Sequence, residues 1–152
     1  MKRLIILFAI TLFCAIAAFA QPDKASMMPQ DKSLYQRLGG YDAIAAVTDD
    51  FVGKLITDKK FAKFFVGASN DSKKRIRQHI VDFLCAATGG PCVYTGRDMK
   101  TVHSGLMITK AEWDASVKHL VATLDKFKVP AKEKGEVLAA VGPLEKDIVE
   151  KP

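Results

Sequence analysis

Histidine and cysteine are scarce in this sequence, three of each in 152 residues. No two cysteines stand as Cys-x-x-Cys, which argues against a thioredoxin-like redox site. Charge of one sign is never massed. The densest basic stretch is "KKRIR" over residues 73–77, and its apolar Ile76 gives it the period of a solvated helix face. No nucleic-acid partner is expected from it. No glycine-rich nucleotide fingerprint occurs, so no flavin or NAD site is expected either. No run alternates with strand period, and no internal repeat or low-complexity tract stands out.

What is present begins at the N-terminus. Lys2 and Arg3 precede an uncharged run, Leu4 to Ala20, and Ala18-Phe19-Ala20 has the small-x-small form of a cleavage site. Residues 1–20 therefore read as a signal peptide, and the protein as exported, to the periplasm in a bacterium. The run of 17 residues falls short of the roughly 20 that span a bilayer. Stable membrane insertion is not expected once the signal is removed; an uncleaved anchor is the alternative. Phe13 before Cys14 does not fit a lipoprotein processing site, which wants a small residue. Residues 21–32, "QPDKASMMPQDK", read as a flexible linker. Beyond it, residues 33–150 make one domain large enough for a real core. Without Lys2 and Arg3 the mature chain carries 21 basic and 17 acidic side chains.

From Ser33 onward the pattern is helical. Asp42 is placed to cap a helix whose stripe is Ile44, Val47, Phe51 and Leu55. Residues 58–67 form an aromatic corner. Asn70, Asp71 or Ser72 starts a third helix with Ile76, Ile80, Phe83, Leu84 and Ala87 on its face, and "TGGP" stops it. Thr109 and Glu112 form a capping box ahead of Trp113, Val117, Leu120, Val121, Leu124 and Phe127. Pro130 opens a last helix carrying Val137, Val141, Leu144 and Ile148, which Pro143 should bend. The fold class is all-α, about four substantial helices with shorter ones between.

The looser segment "RDMKTVHSGLMIT", residues 97–109, holds His103 on one side of a helical turn with Met99; Val102 and Leu106 widen that apolar side. A neutral imidazole here can bind iron through one nitrogen, provided the other N–H finds an acceptor such as a backbone carbonyl. On the residues alone, a satisfied core histidine remains the commoner case. Cys85 and Cys92 flank the glycine turn. Cys14 would leave with the signal peptide, and the even count that remains in an exported chain points to a disulfide; two reduced thiols or half of a zinc site are the alternatives.

Several stretches occur in one order: "SLYQRLGGYDAIAAVTDDF", "FAKFF", "FLCAATGGP", "YTGRDMKTVHSGL", "VKHLVATLDKFKVP" and "VGPLEKDIV". Together they resemble the group I truncated haemoglobins, the small two-over-two globins, from about Ser33 to Val149. The resemblance implies a shortened globin-like helical sandwich enclosing haem b, bound without covalent attachment since no Cys-x-x-Cys-His occurs. It puts His103 in the place of the proximal iron ligand and Phe65 against the haem face. Met99 lines the proximal pocket, and Arg75 and Tyr94 match positions that reach the haem propionates. The glycine pairs at 39–40 and 89–90 match the turns that fold short helices around the cofactor.

The distal side departs from the family. Where many members have Phe-Tyr, this chain has Phe51-Val52, and Ile80 stands where a glutamine is common. Val52, Ile76 and Ile80 make a distal wall without a donor. Gln78 points about 160° away from Ile80 on the wheel. His79, about 60° from Ile76, is a rim residue or else a distal iron ligand, as at the matching position of some cyanobacterial members. His119 reads as structural. The implied function is a haem-b protein binding O2, NO and CO, in NO detoxification or oxygen binding, with an electron donor or reductase of unknown identity. A bis-histidine electron-transfer or gas-sensing protein is the alternative, and a non-haem helical interaction module a third.

Overall fold

Over residues 31–151, the part of the chain that the computed structural model describes, the regular elements are all helical, and the one β-type pairing is an isolated bridge between Thr109 and Lys151. The signal peptide expected at 1–20 and nearly all of the linker lie outside the described residues. Ser33 and Gln36 close a reciprocal capping box on α1 (Leu34–Arg37). Helix α2 (Gly40–Thr57) follows at once. Its cap is Gly39, in the left-handed region at φ 99°, not Asp42. Asp42 lies inside the first turn, where its charge faces the positive end of the helix.

A 3₁₀ turn over Ala62–Phe65 forms the aromatic corner. Helix α3 (Asn70–Ala87) starts at Asn70, the first of the expected candidates, and is capped by Ser69, whose hydroxyl accepts from Ser72 N–H. The face read from periodicity omits the two residues of α3 that fill the core. Val81 and Cys85 are fully buried, packed on Ile44 of α2. Ile76, Ile80, Phe83 and Leu84 line a cavity, Leu84 packing on that core cluster as well. A helix wedged between a core and a cavity needs two apolar faces, and a single-stripe reading finds only one.

Helix α4 (Met99–His103) is one short turn capped by Asp98. Helix α5 (Lys110–Lys126) begins at the expected Thr109–Glu112 box. Phe127, expected on its buried stripe, is the C-cap residue and is exposed. Pro130 caps α6 (Ala131–Val141). The expected bend at Pro143 is a break: a 3₁₀ turn over Gly142–Leu144 hands over to α7 (Glu145–Ile148). Proline has no N–H for the helical ladder, so the ladder restarts after it.

Helix α2 lies against both α3 and α5, and α7 against α4. The core is not one mass. Ile44, Val81 and Cys85 form one cluster; Leu120, Leu124 and Val137 a second; Ile108, Trp113 and Ile148 a third. Residues packed in or on all three line the same cavity, among them Leu84, Leu120 and Trp113. The helices pack on one another at these clusters and enclose a space between them.

Candidate functional site

The cavity has a volume of about 670 Å³. Phe51 and Val52 reach it from α2, Phe65 from the 3₁₀ turn, and Arg75, Ile76, His79 and Ile80 from α3. Tyr94 reaches it from the loop, and Met99 and His103 from α4. All nine residues singled out in the sequence as cofactor-binding, and His79 with them, thus share one space. The walls are aliphatic and aromatic. Val52, Ile76 and Ile80 offer neither donor nor acceptor. Gln78, as its wheel angle implied, is not in the lining. Its amide donates to the Tyr41 hydroxyl at 3.0 Å and the Asp82 carboxylate at 2.8 Å.

His103 is set by its own helix. Nδ1–H donates to the Met99 carbonyl at 2.8 Å, four residues back. A carbonyl can only accept, so the proton sits on Nδ1, and a neutral ring keeps a free lone pair on Nε2. Nε2 has no hydrogen bond to the described residues. After His103 the helix stops. Gly105 and Met107 both take left-handed backbone, at φ 82° and 56°. The Glu150 carboxylate accepts from the N–H of Gly105 at 2.8 Å and of Met107 at 2.5 Å. Those two bonds hold its acid below the ordinary glutamate range. Sequence reasoning missed Glu150, since no local pattern ties it to a loop 45 residues earlier.

His79 is half-buried, and its Nδ1 is fully enclosed with no partner. Its ring stands edge-on to Tyr94, 6.0 Å between centroids. Tyr94 also packs edge-on against Phe83, and its hydroxyl donates to the Arg97 carbonyl at 2.8 Å. Burial raises the Tyr94 phenol above its usual range. Gly96 is obligatory here, because a β-carbon would run into that phenol. At the mouth, Arg75 donates to Ser72 Oγ at 3.2 Å and forms no ion pair among the described residues. Arg97 shares the lining and is likewise unpaired; the sequence reading had not included it. His119 lies outside, donating to Asp58 at 2.8 Å with its ring edge-on to Phe61.

Cys85 and Cys92 are joined by a disulfide, with Cα atoms 5.7 Å apart. It ties the last turns of α3 to the loop that carries Tyr94 and Arg97.

This donor set is selective. No group of three or more His, Cys, Asp or Glu that could hold a metal ion exists among the described residues. A metal bound here must therefore bring most of its own ligands. A large apolar chamber, one imidazole nitrogen free to coordinate, and two unpaired guanidinium groups at the mouth fit a flat apolar metal chelate that carries carboxylates at one edge.

Residues 33–150 match the family described as Bacterial-like globin. A group 1 truncated haemoglobin of Mycolicibacterium paratuberculosis is 35% identical over 116 residues, 76% of this chain and 83% of the relative. The crystal structure of the Fe(III) form of truncated haemoglobin from Tetrahymena pyriformis superposes with a TM-score of 0.71 at 27% identity, covering 78% of this chain and 98% of that one. The 2/2 haemoglobin of a Synechococcus species, crystallised in the cyanomet state with covalently attached haem, gives 0.71 at 31% identity, with the same coverage.

Proposed function

This chain belongs to the bacterial-like globins, and among them to the group 1 truncated haemoglobins; from that membership we propose that it is an exported haem-b protein binding diatomic gases at an iron held by His103. Truncated haemoglobins bind haem, and globins bind diatomic gases such as O2 through it. The observation that carries the reading is the state of His103: Nδ1 is committed to Met99 and Nε2 is left free at the cavity. When bound, haem supplies an iron centre that coordinates a gas molecule. The chain's own residues do the rest. Phe65 and Met99 would pack the apolar ring, and Arg75 and Arg97, both in the cavity lining, would answer the carboxylates. Tyr94 serves as a wall, its hydroxyl donating within its own loop.

Val52, Ile76 and Ile80 add no hydrogen bond on the other side. Bound O2 gains more from a donor than CO or NO does, so this wall weakens discrimination in favour of O2. The reading therefore leans to NO and CO binding over tight oxygen storage. Turnover of NO needs electrons, and the chain has no flavin or NAD fingerprint, so a separate reductase must deliver them. Export to the periplasm is supported by the pattern of residues 1–20 and by the disulfide, which suits an oxidising compartment.

One observation favours a second reading, a bis-histidine electron-transfer or sensing protein. The enclosed Nδ1 of His79 lacks a partner, a state costing about 1–3 kcal/mol. Were haem bound, coordination of its iron through that nitrogen, with His103 as the other protein ligand, would give it a partner.

The visible absorption spectrum of the purified, haem-loaded chain tests the proposal. A haem-b spectrum is expected in the parent, and His103→Ala and His103→Gly should lose most of the cofactor. Full retention with an unchanged spectrum removes His103 from the ligand role.

A further inference from the structure

We propose that Glu150 is a positioning residue for the iron ligand: its carboxylate clamps the loop that follows His103 and so sets the angle at which the imidazole meets the metal. The inference rests on the reading of His103 as that ligand.

A helix of five residues fixes little by itself. The bond from His103 Nδ1 to Met99 lies within that same turn, so it orients the ring relative to α4 but does not anchor α4. On the other side, Ser104 leaves the helix at φ −59°, ψ 132°. Gly105 and Met107 then enter the left-handed region. A non-glycine residue persists there only where its surroundings hold it. Glu150 does the holding, one oxygen on each N–H: Oε1 on Gly105 at 2.8 Å and Oε2 on Met107 at 2.5 Å. Two acceptors on one rigid carboxylate fix both the position and the rotation of the loop, as one acceptor could not.

The clamp is itself fastened. The N–H groups of Glu150 and Lys151 both donate to the Ile108 carbonyl, at 2.9 and 3.1 Å, and Lys110 N–H donates to the Lys151 carbonyl at 3.0 Å. Ile108 and Ile148 are buried against Trp113, with Met99 packed on the same cluster. No lysine or arginine among the described residues pairs with the Glu150 carboxylate. Its charge therefore serves the two amides. A glutamine of the same shape has one acceptor oxygen and would present its NH2 group to the second N–H.

The test uses the haem-loaded full chain as parent, Glu150→Gln and Glu150→Asp. The iron–histidine stretching band of the ferrous protein is read by resonance Raman, and hydrogen exchange at the Gly105 and Met107 amides by NMR. In Glu150→Gln, haem should be retained, one or both amides should exchange about tenfold faster or more, and the band should shift and broaden. Glu150→Asp keeps both acceptors on a shorter arm and should move the band less. Faster exchange with an unmoved band overturns the proposal, leaving Glu150 as a fastener of the chain's tail. Unchanged exchange means there is no clamp, and also overturns it. If the parent shows no iron–histidine band that His103→Gly abolishes, the reading of His103 fails and takes the positioning role with it, while the exchange data still report the clamp.

Discussion

A neutral imidazole has one nitrogen that donates and one that can accept or coordinate, and His103 and His79 are provided for differently. His103 was legible in the sequence, as a rare residue type in a characteristic segment, and so was its need for a carbonyl, which Met99 meets. His79 was legible only as a residue at a face boundary; that its Nδ1 is enclosed without a partner depends on Tyr94, fifteen positions away. Glu150 was not legible at all, since what marks it is a contact across 43 and 45 residues. His79→Leu replaces an unpaired polar atom by methyl groups. The haem-free variant is expected to be at least as stable as the parent, gaining about 1 kcal/mol in urea unfolding. In the haem-loaded protein the same change should abolish any low-spin bis-histidine fraction in the absorption spectrum. A low-spin fraction equal to the parent's would make His79 a wall residue only.

Among the helices, capping boxes and proline starts were read correctly where the signal is local, as at Thr109 and Pro130. Faces were read incompletely where a helix serves two environments. Helix α3 shows why: its Val81 and Cys85 fill the core while Ile76 and Ile80 line the cavity, and periodicity found only the second face. The turn after α3 is tight. A β-carbon at Gly90 would lie 2.7 Å from Cys85 Sγ and 2.8 Å from its carbonyl, so Gly90→Ala is expected to cost about 1–3 kcal/mol. Gly135, within α6, has open space around it, and Gly135→Ala should gain about 0.5–1 kcal/mol. Urea unfolding of the two variants checks both signs. The seam between α2 and α5 is electrostatic as well as apolar. The Asp50 carboxylate takes Lys126 and Lys54 and accepts from the Thr123 hydroxyl at 2.8 Å. Lys126, then Lys54 and Thr123, hold its acid far below the usual aspartate range. A carboxyl depressed by folding stabilises the fold above its unfolded pKa, and the contribution is lost as pH falls toward the folded value. The parent should therefore lose stability progressively below about pH 4, and Asp50→Asn should be weaker at neutral pH with a flatter acid limb. An equal slope in both proteins would remove Asp50 from the seam's energetics.

At the scale of the whole molecule, the all-α class and the order of helices were in the sequence, carried by apolar spacing and helix stops. The division of the core into three clusters was not, because each cluster is assembled from helices distant along the chain. The disulfide closes a span of seven residues. By the chain-entropy account, reduction by a dithiol should cost about 2–3 kcal/mol in urea unfolding; an identical midpoint in the oxidised and reduced protein would show that the bond constrains nothing. The break at Pro143 turns the chain back, so that Glu150 arrives beside a loop laid down 45 residues earlier. At roughly 5–20 residues per second of synthesis, that loop waits about 2–9 s for its carboxylate. During that interval a nascent chain already contains His103, the proposed iron ligand, but not the carboxylate proposed to aim it, so chain growth itself would separate possession of the ligand from readiness to use it.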